Sequence, residues 1–411
     1  MKFFALLVIA TLLLSCTTSY SEDVKGERHR AKQILNVVSK DVQENFYDET
    51  LKGINWVALT DQARQRIDSA DQLGAMHGAI SALVFQLHDS HTVFIPPKRK
   101  IKADYGFKAK PFANSIFVYE LDQDGPAAKA GLQLGDQIVG VNNLDAVPQT
   151  FFEMMRYLTV IDPRIELVLE ITKNGTTRKL SVPATVIPQQ PQYFFSYIET
   201  GRDADKPEPF FDFKDYGEGI RYLRVRTFAM PSTELVDMIR PLRDAKAVIL
   251  DLRGNGGGML STMLDFTGEF IHEPYEMATS VSRKKSHAIR VEPTSRRVSC
   301  PLYVLMDSAS ASASELFARS MQLHKRAVVI GDRSSGRVNS AQFFWEPIGS
   351  WKGVEFGTEI AVSKIVMEDG QELEGRGVTP DEACVPHSDD LRQSRDPCLD
   401  RALAMARLVK K

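Results

Sequence analysis

A run of small residues near position 310 contains four serines that could supply a nucleophile. Leu302–Met306 is apolar, with enough β-branched and aromatic character for a buried strand, and it stops at Asp307. Ser308–Ser314 then leads into a sequence with the apolar spacing of an amphipathic helix. A strand, a tight turn and a helix can present a serine hydroxyl beside the free backbone N–H groups of the helix start. Those groups and the helix dipole can stabilise the negative charge that develops during nucleophilic attack.

The same residues have a simpler interpretation. Ser312–Glu315 has the spacing of a capping box, in which the serine only satisfies backbone donors at the helix start. This motif alone does not decide between a nucleophile and a helix cap.

A glycine-rich run follows a second buried strand. Ala247–Leu250 is apolar and leads into Asp251–Gly258, which lacks the GxGxxG spacing of a dinucleotide loop. Its glycines allow backbone N–H groups to approach a ligand closely, ahead of a helix predicted at Leu260–Phe270. A tight turn with no ligand is the alternative.

Composition restricts the function classes. A chain of 411 residues with 25% charged and 43% hydrophobic residues predicts an ordinary globular protein of two or three domains. The net charge of −2 indicates no general affinity for nucleic acid. No histidine or cysteine cluster has the spacing of a metal site, and no cofactor is predicted.

The N-terminus predicts export. Lys2 precedes an apolar stretch, Phe3–Leu14, that is too short to span a bilayer, and Ser15 and Cys16 follow it. This ending resembles a bacterial lipobox, which makes Cys16 the lipidated first residue of the mature protein; a plain secretory signal is the alternative. Residues 1–16 are therefore predicted as a signal peptide and 17–29 as a flexible tether. We expect an anchored lipoprotein of the cell envelope, facing the periplasm or the exterior.

Export permits disulfides. Beyond Cys16, the chain has Cys300, Cys384 and Cys398, so at most one intramolecular pair can form. Cys384 with Cys398 closes the shorter loop, although sequence does not fix the connectivity.

Helical periodicity characterises residues 30–97. Helices are predicted at about 30–53, 56–67 and 71–87, the last with Asp71 as its cap. The domain ends at a short extended run that contains His88 and His91. Both histidines could equally be surface polar residues.

Residues 100–187 alternate as short β-strands do, with Asn174-Gly175 as a hairpin turn. Within them, Gly125–Leu132 and Leu134–Asn142 resemble the signature of PDZ domains in bacterial periplasmic proteases. The resemblance implies that a peptide adds as an extra strand and that backbone N–H groups hold its C-terminal carboxylate. Tyr105, Gly106 and Phe107 are the candidate cradle for that carboxylate. A purely structural or regulatory PDZ domain is the alternative.

After a proline-rich hinge at Pro188–Pro191, residues 192–390 alternate between strand and helix signals, which predicts a layered α/β unit. Strands are expected at Ile220–Val225 and Ala247–Leu250, and a helix at Pro231–Arg240. The tail, residues 391–411, is predicted to be helical.

Three motifs converge on one family. DLRGNGGG, SASASE and EGRGVTPD (Glu374–Asp381), together with the PDZ segment, resemble the C-terminal processing (tail-specific) and tricorn-type serine peptidases. The resemblance implies an α+β multidomain fold: a helical N-terminal domain, an inserted PDZ β-domain and a crotonase/ClpP-like α/β peptidase core.

The family contains two catalytic designs. In the tail-specific design a lysine activates the serine, but the matching position here is Arg337. A guanidinium stays protonated and cannot act as a general base, so this design fails. Arg337 could instead bind a substrate anion or pair with an acidic neighbour.

The tricorn-type design matches better. It implies Ser312 as nucleophile and His91 as general base, because an imidazole with a pKa of about 6.5 can accept the hydroxyl proton near neutrality. Ser90 and Glu374 would orient the imidazole, and His88 is the rival base. The same resemblance makes the backbone N–H groups of Gly257 or Gly258 and of Ala313 the oxyanion hole.

The resulting expectation is a serine endopeptidase of the cell envelope that cleaves peptide or unfolded protein substrates through an acyl-enzyme. A catalytically inactive peptide-binding adaptor, motivated by Arg337, is the first alternative. A hydrolase of another acyl substrate with the same tetrad is the second.

Overall fold

The computed structural model describes the backbone of residues 3–99, 101–173, 175–188, 209–295, 297–348 and 354–409. These residues form two compact units. The first unit contains the chain up to Arg99 together with Arg156–Pro163 and Ala341–Val362, and the second contains the remaining segments.

The first unit is mainly helical. Its elements are α1 (Phe3–Asn45), a 3-10 turn (Leu51–Gly53), α2 (Trp56–Ser69), α3 (Leu73–Phe85), β1 (Val93–Ile95), a π-helical turn (Tyr157–Ile161), most of β17 (Ser340–Ile348) and the first part of β18 (Val354–Met367). β1 pairs antiparallel with β18, Phe94 lying opposite Thr358. Apolar faces of the three helices enclose one core, in which Leu35, Phe46 and Phe94 are fully buried.

No helix among the described residues has both the length and the apolar character that crossing a bilayer requires.

The second unit begins with an antiparallel β-domain, residues 101–155 and 164–188. Its elements are β2 (Ile101–Asp104), β3 (Phe107–Phe112), β4 (Ser115–Leu121), α4 (Pro126–Lys129), β5 (Gln137–Val141), β6 (Leu144–Asp145), α5 (Phe151–Arg156), β7 (Glu166–Lys173), β8 (Thr176–Pro183) and β9 (Thr185–Pro188). The main sheet has the order β3-β4-β5-β7-β8, with β6 beside β5, and β2 pairs with β9. The predicted hairpin forms between β7 and β8, and Gly175 adopts φ 77° in its turn.

The rest of the second unit is a layered α/β core. Its elements are β10 (Phe211–Asp215), β11 (Ile220–Val225), α6 (Thr233–Ile239), a 3-10 turn (Arg240–Leu242), β12 (Ala247–Asp251), α7 (Leu260–Gly268), β13 (Tyr275–Ser282), β14 (Ser286–Val291), β15 (Leu302–Met306), α8 (Ala313–Leu323), β16 (Ala327–Gly331), the end of β18, β19 (Glu382–Ala383), α9 (Ser388–Arg392) and α10 (Pro397–Arg407).

The central sheet of this core has the order β10-β11-β12-β15-β16-β19 and is parallel from β11 onward. β12 and β15 are buried at every position, as strands covered on both faces must be. One face packs against α6, α7 and α8, and the other against α10. β13 pairs with β14 and with the end of β18, outside the central sheet.

Three sequence expectations differ from the structure or fall outside it. Residues 17–29, expected as a tether, belong to α1. Asp71 is not the cap of α3, because Gln72 occupies that position without a side-chain hydrogen bond. The predicted hinge at 188–191 lies beyond the described residues except for Pro188, which ends β9.

The expected disulfide forms between Cys384 and Cys398, with Cα atoms 5.5 Å apart, and Cys300 is a free thiol. The disulfide joins the end of β19 to the first turn of α10.

Candidate active site

The glycine run and the serine run meet at one edge of the central sheet. β12 ends in the glycine run Asp251–Gly258, and its parallel neighbour β15 ends in Asp307–Ser314. Because parallel strands bring their carboxyl ends to the same edge, the glycines and the serines lie side by side.

Asn255 joins these two loops. Its side chain is fully buried; the amide donates to Val225 O at 2.9 Å, and its oxygen accepts from Gly257 N at 2.8 Å. Its backbone oxygen accepts from Ala311 N and from the Ser314 hydroxyl at 2.9 and 3.1 Å. Burying an amide is tolerated only with such satisfaction, so Asn255 fixes the distance between the loops.

Ser312 lies at the start of α8 in a strained conformation. Its φ and ψ are 55° and −120°, a region that L residues rarely adopt, and its side chain is half-buried. The expected capping box with Glu315 is present. An ordinary cap needs no such backbone, and strain of this kind concentrates at functional sites.

Gly257 packs directly against Ser312. A Cβ atom on Gly257 would lie 2.6 Å from Ser312 Cβ and 3.1 Å from Ala313 N, and its φ is 100°. Its N–H already donates to Asn255 Oδ1. The expectation that Gly257 supplies an oxyanion donor is therefore corrected: this glycine supplies space for Ser312.

The other two expected donors lie on the same two loops. Gly258 forms a parallel bridge with Phe228 through Gly257 O and Met259 N, so its own N–H points away from Phe228. Ala313 is the first residue of α8, and its N–H has no acceptor within the helix.

The Glu315 side chain holds the backbone of Ser312 and of the segment 334–337 in place. Its fully buried carboxylate accepts from Ser312 N at 3.0 Å, Gly336 N at 2.8 Å, Arg337 N at 2.9 Å and the Ser334 hydroxyl at 2.5 Å. Burial raises the pKa of Glu315 to about 7, although these four donors favour the ionised form. The capping-box spacing indicated only the first of these contacts.

The segment after β16 connects Ser312 to Glu374. Ser312 N also donates to Arg337 O at 2.6 Å. Glu374 lies in the turn 374–376, and its Oε2 accepts from Val338 N at 2.9 Å and Asn339 N at 3.3 Å. Residues 337–339 therefore bind Ser312 through Arg337 O and Glu374 through the N–H groups of Val338 and Asn339, so one short segment holds both residues.

Arg337, which stands where the tail-specific design would have its lysine, is half-buried. Its Nη1 lies 3.8 Å from Glu153 Oε1 on α5, which is the acidic partner that one sequence interpretation anticipated.

The first unit holds the other two residues of the expected tetrad. Ser90 and His91 occupy the turn between α3 and β1, with Ser90 Oγ 3.0 Å from His91 Nδ1. Asp89 anchors this turn, because its Oδ1 accepts from His91 N at 3.1 Å and from the Thr92 hydroxyl at 2.9 Å. The rival base, His88, is exposed and stacks edge-on against Phe85.

In the expected PDZ cradle, two residues make contacts within the domain. Tyr105 is 5% exposed and donates to Arg164 O at 2.6 Å, and Gly106 N donates to Asp104 Oδ1 at 2.9 Å. Phe107 begins β3, the edge strand of the sheet, and is half-buried. An adjoining cleft is lined by residues that include Asp104, Asp122, Asp124 and Lys129.

No group of three or more histidine, cysteine, aspartate or glutamate side chains is arranged to hold a metal ion in the described part of the chain.

Family models match three segments of the chain. Residues 219–384 match Peptidase family S41, residues 101–184 match a PDZ domain, and residues 28–72 match the Tricorn protease C1 domain.

Curated relatives agree with this assignment. The carboxyl-terminal-processing peptidase 1 of Arabidopsis thaliana chloroplasts is 24% identical over 78% of this chain and 65% of its own length. The carboxyl-terminal-processing protease of Picosynechococcus sp. is 25% identical over 83% of this chain and 80% of its own.

Solved structures support the fold. Mature CPAF superposes with a TM-score of 0.68 at 15% identity and covers 93% of this chain and 97% of its own. The photosystem II D1 C-terminal processing protease gives a TM-score of 0.52 at 18% identity, over 87% of this chain and 93% of its own.

The layered core, the serine–glycine edge and the matched segments lead to one conclusion: residues 219–384 form a peptidase domain of family S41 that follows a PDZ domain, and the chain is a serine peptidase that acts on peptides or proteins.

Proposed function

We propose that this peptidase is an endopeptidase of the cell envelope that uses Ser312 as nucleophile and His91 as general base. Ser90 and Glu374 complete the tetrad by orienting the imidazole. The observation that carries the proposal is Ser312 itself: a strained serine at a helix start, packed against Gly257 and followed directly by the first N–H group of the helix.

The Ser90–His91 contact supports the role of the imidazole. An Nδ1–H that donates to Ser90 Oγ leaves Nε2 unprotonated, which is the form that a general base needs. Ser312 Oγ then transfers its proton to Nε2 as it attacks the scissile carbonyl. The imidazolium returns that proton to the leaving amine, and a water molecule hydrolyses the acyl-enzyme by the same route in reverse.

Gly258 N and Ala313 N form the oxyanion hole in this mechanism. Both belong to backbone that is already fixed, through Asn255 and the capping box, so they stabilise the oxyanion without reorganisation. Removing one such donor typically costs about 2.7–4 kcal/mol of transition-state stabilisation.

Covalent labelling with a fluorophosphonate tests the proposal. We expect labelling of Ser312 in the wild type, none in Ser312→Ala, and a rate at least about 10²-fold lower in His91→Ala. His88→Ala is the matched control, because it removes a neighbouring exposed histidine and should label at the wild-type rate. Equal labelling of His91→Ala and the wild type would remove His91 from the mechanism. No labelling of a folded wild-type protein would favour the inactive adaptor.

The endopeptidase assignment has its own test. The assay compares kcat/KM for peptides, unfolded proteins, small esters and simple amides. We expect kcat/KM to be higher for peptides and unfolded proteins than for small esters. The reverse order would indicate a hydrolase of another acyl substrate. PDZ capture through Phe107 predicts that Phe107→Ala raises KM for substrates with a free C-terminal carboxylate and leaves amidated ones unchanged.

The envelope location is proposed from the N-terminal sequence, Phe3–Leu14 followed by Cys16. The side chain of Cys16 lies outside the described residues. Incorporation of a radiolabelled fatty acid into the wild type and its loss in Cys16→Ser would support lipid anchoring; an unlabelled protein with an intact leader would contradict export.

A further inference from the structure

A buried ion pair connects the PDZ domain to the catalytic edge of the core. Lys110 lies on β3 of the PDZ domain, and Asp307 follows β15, five residues before Ser312. Their side chains are only 12% and 8% exposed, and the ammonium group contacts Asp307 Oδ2. The catalytic mechanism above uses neither residue.

Asp307 is a branch point of hydrogen bonds between the two catalytic loops. Its Oδ1 accepts from Gly254 N in the glycine run at 3.0 Å and from Ala309 N in the serine turn at 3.0 Å. The backbone N–H of Asp307 donates to Ser310 Oγ at 3.0 Å. One carboxylate therefore holds both the loop that carries Gly258 and the loop that carries Ser312.

Lys110 lies between Asp307 and two aromatic rings. Its Nζ lies 5.0 Å from the ring centroid of Phe112 and 4.7 Å from that of Tyr119, so aromatic faces shield it from water. Beside it, the Ser308 hydroxyl donates to Pro111 O at 2.5 Å. The β3–β4 hairpin thus contacts the serine turn at consecutive positions.

We propose that Lys110 is a positioning residue for the peptidase reaction. Its charge keeps the Asp307 carboxylate ionised, and the ionised carboxylate holds the glycine run and the serine turn in register for Gly258, Ala313 and Ser312. The PDZ domain therefore completes the catalytic edge of the core, whatever it does with substrate ends. This inference rests on the proposed catalytic roles of those three residues.

The charged groups around Asp307 define a pH signature. Burial acts to raise the pKa of Asp307, but Lys110 and hydrogen bonds, with a contribution from Arg253, hold it below its usual range. Tyr119 also faces the pair, and its own pKa is raised to about 12 by burial and by the charges of Glu120 and Asp307, so it stays neutral. Removing Lys110 leaves Arg253 as the remaining cation and moves the pKa of Asp307 upward.

Protonation neutralises the Asp307 carboxylate and weakens its Oδ1 as an acceptor for Gly254 N and Ala309 N, because hydrogen bonds to an ionised group are roughly twice as strong as neutral ones. A lowered pKa keeps the wild-type carboxylate ionised through acid pH, whereas the variant loses the ionised form as pH falls through the raised value. Activity of the variant should therefore fall on the acid side about tenfold per pH unit below that value.

The test compares Lys110→Met with Lys110→Arg, Asp307→Asn, the double variant Lys110→Met/Asp307→Asn and the control Lys179→Met. Lys179 forms an exposed ion pair with Glu170 in the same PDZ domain, so its variant matches the loss of charge without touching the core. The substrate is a short internally quenched peptide with an amidated C-terminus, which makes PDZ capture irrelevant.

We expect Lys110→Met to lower kcat about 10- to 100-fold near pH 6, with KM changed less than about twofold and with recovery toward pH 9. Lys110→Arg and Lys179→Met should keep the wild-type profile. In the double variant the asparagine side chain that replaces Asp307 does not titrate, so the extra acid limb should disappear whatever the rate at the plateau. A Lys110→Met profile identical to the wild type, or a double variant with the same acid limb as Lys110→Met, would overturn the proposal.

A second readout does not need activity. Amide hydrogen exchange of residues 252–259 and 307–312 should accelerate in Lys110→Met near pH 6 and not in Lys179→Met. If amide exchange in Lys110→Met equals that of the wild type, the inference is wrong, even if the wild type is inactive. If exchange is faster in Lys110→Met but the wild type is inactive, only the proposed catalytic roles are wrong. If Lys110→Met does not fold, the pH profile and amide exchange of the double variant are compared with those of Asp307→Asn, which differs from it only at Lys110.

Discussion

A methyl group at Gly257 should disable the peptidase while leaving its fold largely intact. An alanine Cβ there would lie 2.6 Å from Ser312 Cβ, 3.0 Å from Ala311 O and 3.1 Å from Ala313 N. None of these atoms belongs to the free end of a flexible side chain, so Ser312 or the glycine run must shift. The residue would also have to hold φ at 100°, which strains any side chain with a Cβ.

The two contributions can be separated in magnitude. Holding a non-glycine residue at such a φ costs about 1–2 kcal/mol, and overpacking of a filled site adds about 1–3 kcal/mol. We therefore expect Gly257→Ala to lower the free energy of unfolding by about 2–5 kcal/mol. A shift of the nucleophile approaching 1 Å costs about 10²-fold in rate, so kcat should fall by that order.

The same loop supplies two matched controls. Gly254 has φ 74° with nothing within 4 Å of its Cβ position, so Gly254→Ala tests the backbone strain alone. Gly256 has neither a positive φ nor a neighbour within 4 Å, so Gly256→Ala should behave as the wild type. Urea denaturation and peptide hydrolysis, measured on all three variants, give the comparison. A Gly257→Ala variant that keeps kcat within about threefold of Gly254→Ala would refute the packing argument.

Two further predictions concern stability. Replacing Cys384 and Cys398 with serine removes a cross-link of sequence separation 14 and should lower the free energy of unfolding in urea by about 3 kcal/mol; equal midpoints with and without a reducing agent in the wild type would contradict this. Arg253→Met removes the guanidinium that, against the effect of burial, holds the pKa of the buried Asp251 below its usual range. Because a depressed pKa contributes stability above the unfolded value of about 3.9, the loss of about 3–5 kcal/mol should be largest near neutral pH and shrink toward acid. Asp396→Asn leaves the Asp251 pair intact and should cost less, so equal losses for both variants would show that the pair with Asp251 is unimportant.

The local elements of the core were predictable because single segments encode them. Leu302–Met306 and Ile220–Val225 have the observed bounds, since apolar runs rich in β-branched residues in an α/β protein form buried strands. The observed α2, Trp56–Ser69, extends the predicted helix by one turn or less. The inclusion of residues 17–29 in α1 was not predictable, because a polar composition is compatible both with a tether and with a helix.

Within the candidate site, the sequence indicated the residue types but not the contacts that hold them. Asn255 stood inside a motif, but two of its hydrogen bonds come from Ala311 and Ser314, more than fifty positions away, and a third goes to Val225 on another strand. Lys110 and Asp307 are separated by 197 positions and carry no shared pattern. Pairings of this kind follow from the order of the strands and the docking of domains, which no local periodicity specifies.

Gly257 shows how a motif can be right for a different reason. Resemblance assigned it an oxyanion donor, whereas its N–H is bonded to Asn255 and its missing side chain makes room for Ser312. A glycine in a catalytic loop can serve through its N–H or through its absent Cβ, and only the partners of the N–H distinguish the two.

The most direct test of the catalytic account is a crystal structure of Ser312 trapped with a fluorophosphonate. We expect a phosphonyl oxygen about 2.7–3.1 Å from Gly258 N and Ala313 N, with His91 Nε2 within hydrogen-bond distance of Ser312 Oγ. An adduct whose oxygen faces solvent, or one with the imidazole of His91 remote from the serine, would contradict it.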